Sequence, residues 1–133
     1  MTNTELKAKE HPLYIDTLLG DSLLVFDLPS LMEKIKQEDA WQIGERNAIT
    51  ILKSDKLRLV LMALREGAEI NFCKSGNLFS LQLLEGKLMF HTENKELMLE
   101  HGHILTLLEN IDHSLVAISE TIFLLTIGNG SAG

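Results

Sequence analysis

The chain has 133 residues, 45% of them hydrophobic and 23% charged, with a formal net charge of −7, which suits one globular domain with a core of its own. No Lys/Arg cluster longer than a pair occurs, which excludes a phosphate-backbone binder and hence a nucleic-acid partner. A lone cysteine rules out an internal disulfide, and apolar runs such as Leu59 to Leu64 are too short for a bilayer, so a cytoplasmic protein with no membrane partner is expected.

Residues 1–11 form a polar arm without the apolar stretch of a signal peptide. From Pro12 to Leu28 two apolar clusters flank Gly20-Asp21, and their pattern separates neither helix nor strand. A helix is predicted next. Pro29 suits a first turn, Leu31, Met32 and Ile35 share one face, and Glu33, Lys34, Lys36, Gln37 and Glu38 take the other, ending near Asp39.

After Gly44 the pattern becomes a series of short strands over 47–53, 57–64, 68–72, 78–84, 87–92, 96–100, 103–108, 113–119 and 121–127. Turn signals divide them, among them Ser54-Asp55-Lys56, Glu66-Gly67, Glu85-Gly86, Glu93-Asn94-Lys95 and Gly102. That is the signature of an all-β antiparallel sandwich or barrel, with no helix long enough for a βαβ unit. The division expected is 1–44 as an arm and helix packed on the barrel, and 45–133 as the barrel. The strands around 59–64 and 122–125 are apolar on both faces, so something must cover the outer one. The helix can cover part and a second subunit the rest, which predicts a homodimer; the alternative is that residues 12–40 do all the covering.

Glycine spacing narrows the fold. Gly67 is followed after five residues by Cys73, then Ser75, Phe79 and Gly86, while Gly102 precedes His113 by eleven. These intervals resemble the two cupin motifs, over roughly residues 57–127. The resemblance implies a double-stranded β-helix, or jelly-roll barrel, with a short N-terminal helical extension. It also implies that Cys73, Ser75, Phe79 and His113 stand where the family places the four ligands of one metal. Leu108, Asn110 and Ala117 stand where the second motif has proline, glycine and asparagine.

Transition metals need three or four donors from imidazole, carboxylate and thiolate. Cys73 and His113 can each give one, Ser75 is a poor neutral donor, Phe79 gives none, and Ser80 in its place would rescue nothing. No tightly bound metal is therefore expected, the alternative being a divalent transition metal held by Cys73 and His113 with a recruited residue. His101 and His103 fall in the turn before the second motif, and His91 is expected to face outward from Leu88 and Phe90. A Cys73–His113 thiol–imidazole pair lacks an evident orienting carboxylate, so a small buried thiol beside a core histidine is the plainer reading.

Trp41 is expected to pack the helix end on the barrel, with ligand stacking as the alternative. Arg58 and Arg65 flank an apolar strand, where arginine can grip an anion or simply form surface ion pairs. Lys74 lies beside the presumed cavity.

Three functions remain open. The first is a non-catalytic binder of a small organic ligand in the barrel mouth, held by Cys73, Ser75, Phe79 and His113. Phe72, Phe79, Leu81, Leu83 and Phe90 would form its wall, and Gln82 points away if Leu81 and Leu83 point in. The second is a metal-dependent cupin enzyme of dioxygenase or isomerase type using Cys73 and His113. The third is a structural or regulatory dimer.

Overall fold

The computed structural model describes residues 24–72, 78–108 and 111–128. Among the described residues two helices, α1 (Leu28–Gln37) and α2 (Asp39–Ile43), precede nine strands. These are β1 (Arg46–Lys53), β2 (Leu57–Leu64), β3 (Glu69–Phe72), β4 (Leu78–Glu85), β5 (Lys87–His91), β6 (Glu96–Glu100), β7 (Ile104–Leu107), β8 (His113–Ala117) and β9 (Thr121–Gly128). They form a five-stranded sheet of order β1-β2-β9-β4-β7 facing a four-stranded sheet of order β3-β8-β5-β6. Every strand pair is antiparallel. The apolar segment 12–23 lies outside the described residues.

Alternation along the strands creates two cores from one sheet. Val60, Met62 and Leu64 of β2, with Phe123, Leu125 and Ile127 of β9, face the barrel interior. There they meet Leu81, Leu83, Leu88, Phe90, Leu99 and Leu115. Leu59, Leu61 and Ala63, with Ile122 and Leu124, face outward beneath Leu31, Ile35 and Trp41. The second apolar face of β2 and β9 is thus covered by helices of the same chain. Each large side chain buried there contributes roughly 1.5–3 kcal/mol.

Specific polar contacts set the helices in place. The Asp27 carboxylate caps α1 by accepting from the Ser30 backbone N–H (3.3 Å) and the Ser30 hydroxyl (2.9 Å). At the other end Asn47 Nδ2 donates to the Ile35 carbonyl and to Glu38 Oε1, each at 2.9 Å, so buried Asn47 satisfies a helix carbonyl that has no intrahelical donor. Arg65 donates to the Trp41 carbonyl at 2.8 Å, and its guanidinium lies 4.0 Å over the Trp41 ring. Trp41 is itself buried, so its ring packs the helix end on the barrel and has no open face for a ligand. No described helix is long and apolar enough to cross a membrane.

Lys36 joins α1 to two strand ends, 2.8 Å from Glu85 and 3.0 Å from Glu120. The hydrogen bond to Glu85, reinforced by Glu120 and opposed by partial burial, raises its pKa above the ordinary lysine value of 10.5. A pKa raised on folding means the contribution is complete below the unfolded value and disappears as pH rises through the folded one. Thermal unfolding of wild type and Lys36→Met is therefore expected to differ most near neutral pH, and the two curves to converge as pH rises through the raised lysine pKa, above 10.5. A gap that stays constant across that range would show that the pair contributes nothing.

Candidate functional site

The two sheets bring Phe79 and His113 together at one end of the barrel. β8 starts at His113, whose Cα partner is Phe72, the last residue of β3. Phe79 opens β4 one residue into the strand and pairs with Ile127 of β9 and Leu107 of β7. His113 and Phe79 thus meet across the barrel from opposite sheets, with ring centroids 5.2 Å apart and planes tilted by 44°. Phe90 stacks with the imidazole at 5.3 Å and 27°. His113 is only 8% exposed, in contact with both rings.

The hydrogen bonds of His113 settle its tautomer. Nδ1 lies 2.9 Å from the Ile111 carbonyl oxygen. A carbonyl only accepts, so Nδ1 carries the proton and, in the neutral ring, buried Nε2 carries the lone pair. The ring is fixed at Cβ by β8, at Nδ1 by the Ile111 carbonyl and by contact with the rings of Phe79 and Phe90. The imidazole is thus held in one orientation among aromatic rings.

Cys73 and Ser75 lie outside the described residues, as does Lys74. Among the described residues no three His, Cys, Asp or Glu side chains gather closely enough to hold a metal ion. The donor set at the four motif positions does not fit one either. A phenyl ring offers no donor atom, and Phe79, at the position where the resemblance implies a carboxylate, sets its ring against the imidazole.

Of the other described histidines, His101 and His103 sit away from this end, whereas His91 is at it, the Cα partner of Ser114 next to His113 but alternating to the outer face of the sheet. His91 is half-buried and lies 3.1 Å from Glu96 across the β5–β6 ladder. His101 and His103 are exposed in the β6–β7 turn, where His103 Nδ1 accepts from the Glu100 N–H at 3.0 Å.

The wall differs from the expected one. Leu81 and Leu83 are fully buried and Phe90 nearly so, which makes them core residues beyond a ligand's reach. Gln82 is exposed on the opposite face. The half-buried apolar residues packed against the barrel core are Val60, Met62, Phe79, Leu105, Ile111 and Ile127. Of these only Phe79 figures in the sequence-derived wall. Val60, Met62 and Ile127 escape a motif search because nothing but the alternation of β2 and β9, once the outer cover is known, assigns them to the inner face.

No family model matches the sequence, and no curated protein matches it. Solved structures do. A conserved Streptococcus pyogenes protein of unknown function is 18% identical, with a TM-score of 0.60 over 81% of this chain and 89% of that one. The Cupin_2 domain of an XRE family transcriptional regulator from Enterobacter cloacae is 13% identical, with a TM-score of 0.59 over 64% of this chain and 97% of that one. The cupin domain of Schizosaccharomyces pombe Cnp3 is 13% identical, with a TM-score of 0.61 over 65% of this chain and 66% of that one. At these identities the likeness is one of fold: the chain is a cupin-type jelly-roll barrel.

Proposed function

We propose that this cupin-fold chain is a binding protein that holds a small organic ligand in the barrel mouth, against Phe79 and beside His113, without a tightly bound metal. One observation carries the reading: a phenyl ring in contact with a buried, oriented imidazole stands where the fold's metal chemistry needs an oxygen donor. Aromatic rings around one oriented imidazole, with few polar groups, are the composition of small-molecule sites. The protein is proposed to act in the cytoplasm.

Elemental analysis of protein purified without chelators tests it together with mass spectrometry of what denaturation releases. The expected result is metal far below one ion per chain and an organic molecule whose retention falls about tenfold in Phe79→Ala, a loss of contact area alone. Stoichiometric metal that disappears in His113→Ala or Cys73→Ala would replace this reading with the metal-dependent enzyme.

A second reading is favoured by the surface. No described helix covers the outer face of the four-stranded sheet, where Met98 and Ile118 are exposed and Met89 and Val116 half-buried. A homodimer formed through this face would make the chain a regulatory or structural unit. The Enterobacter cloacae regulator carries a domain of the same fold. Sedimentation of wild type against Met98→Lys distinguishes the readings: dissociation by the added charge supports the dimer, and an unchanged monomer refutes it.

A further inference from the structure

The register of β2 places Arg58 in the mouth. Cα pairing joins Arg58 to Ile127, Ile127 to Phe79, and Phe79 to Leu107, so these residues form one row across the five-stranded sheet. Side chains alternate along a strand. Val60 and Met62 pack on the barrel cluster while Leu59 and Leu61 pack with the helices, so Arg58 shares the inner face with Val60 and Met62. Two strand spacings of about 4.8 Å separate it from Phe79, a span that an extended arginine side chain covers by more than half.

The charge of Arg58 is what sets it apart. Among the described residues only three cationic side chains, Lys36, Arg58 and Arg65, are half-buried, the others being exposed. Lys36 is matched by Glu85 and Glu120. Arg65 is matched by the carbonyls of Trp41 and Gly44, the Trp41 ring and Glu120. No ion pair or side-chain hydrogen bond of the described residues involves Arg58. A partly desolvated guanidinium beside apolar Ile127 and Phe79 is costly unless something completes its hydrogen bonds. Lys53, its Cα partner in β1, adds a second positive charge from the exposed side.

We infer that Arg58 is the anion anchor of the barrel mouth and that the ligand is a small organic carboxylate. The guanidinium fork receives the carboxylate and the apolar body lies on Phe79. A carboxylate is favoured over a phosphate because Arg58 is the one half-buried cation of the row, Lys53 being exposed at its edge, in a chain of net charge −7. This inference rests on the mouth being a ligand site, and it adds the ligand's class.

The probes are benzoate and benzamide, which share ring and size and differ in charge. Each is titrated into the full chain, wild type and Arg58→Gln, while the backbone amides of Phe79, His113 and Ile127 are followed by NMR. The expected result is that benzoate moves these amides at a concentration about tenfold lower than benzamide, and that Arg58→Gln brings benzoate to the benzamide level while leaving benzamide unchanged. Arg58→Lys, which keeps the charge without the fork, binds benzoate between the two and serves if Arg58→Gln does not fold. Equal binding of both probes by wild type and variants would overturn the anchor and leave the ligand site standing. Amides that neither probe moves at about 10 mM would remove the site itself, and the anchor with it.

Discussion

Gly86→Ala is expected to lower stability by on the order of 4 kcal/mol, the largest effect among glycine-to-alanine changes at the described residues. Two independent costs meet at this position. The backbone has φ +93, in the left-handed half of conformational space, where a Cβ costs roughly 1–2 kcal/mol. A Cβ would also stand 2.2 Å from the Glu120 carbonyl oxygen, 2.6 Å from Thr121 Oγ1 and 2.8 Å from Thr121 Cα. Two of these are backbone atoms and cannot swing aside. Thr121 is fully buried, its hydroxyl 2.9 Å from the Lys87 carbonyl and 2.8 Å from the Ser119 carbonyl, so it is pinned as well. The Glu85-Gly86 corner must therefore move away from β9, opening the β4–β9 ladder at its Glu85–Ile122 end. Gly67 and Gly102 supply the control, since both have positive φ but nothing within 4 Å of the added carbon. Their alanine variants are expected to lose only about 1–2 kcal/mol. Denaturant midpoints of the three variants measure this, and an equal loss at all three would show that contact with β9 is irrelevant.

The same three glycines explain why the fold was legible. Each marks a strand end where only glycine is free of strain, so their spacing records the barrel's turns even where the residues between them have drifted. The strand predicted over 57–64 coincides with β2, and that predicted over 96–100 with β6, because polar turn residues bound each apolar run sharply. The helix predicted from Pro29 is present for the reason given, with Asp27 added as its cap. The joining of helix to barrel was not legible. Asn47 reaches back to Ile35 and Arg65 to Trp41, contacts 12 and 24 residues apart in the chain that no local pattern encodes. The site was legible in part for the same reason. Phe79 and His113 meet as the motif spacing implies, whereas Leu81 and Leu83 lie too deep for the wall expected of them. Depth in a barrel depends on how the opposite sheet packs. Arg58 stood out as a residue type, and only the register placed it in the same row as Phe79.

Ile35→Asp is expected to detach the helices and expose a face that the chain otherwise keeps from water. Ile35 is fully buried with Leu31 and Trp41 over Ile49, Ile51, Leu61, Ala63 and Ile122. Replacing it with a carboxylate removes that contact and places a charge where no cation stands. The combined cost is on the order of 4 kcal/mol or more. The barrel interior is built from other residues, Leu81, Phe90, Leu115 and Phe123 among them, so the sheets are expected to survive while α1 lifts off. The uncovered strip of β1, β2 and β9 is then apolar along its length, and association of chains through it is the cheapest way to bury it again. Sedimentation should show self-association beyond that of wild type, while the far-ultraviolet β-sheet signal persists. The sequence reads β2 and β9 as two-faced strands in need of a cover, and either a helix or a second subunit satisfies that need. Whichever cover is present, removing it has to create demand for the other. A variant that unfolds completely would show that the barrel depends on its helices, and one that stays as dispersed as wild type would show that this face needs no cover.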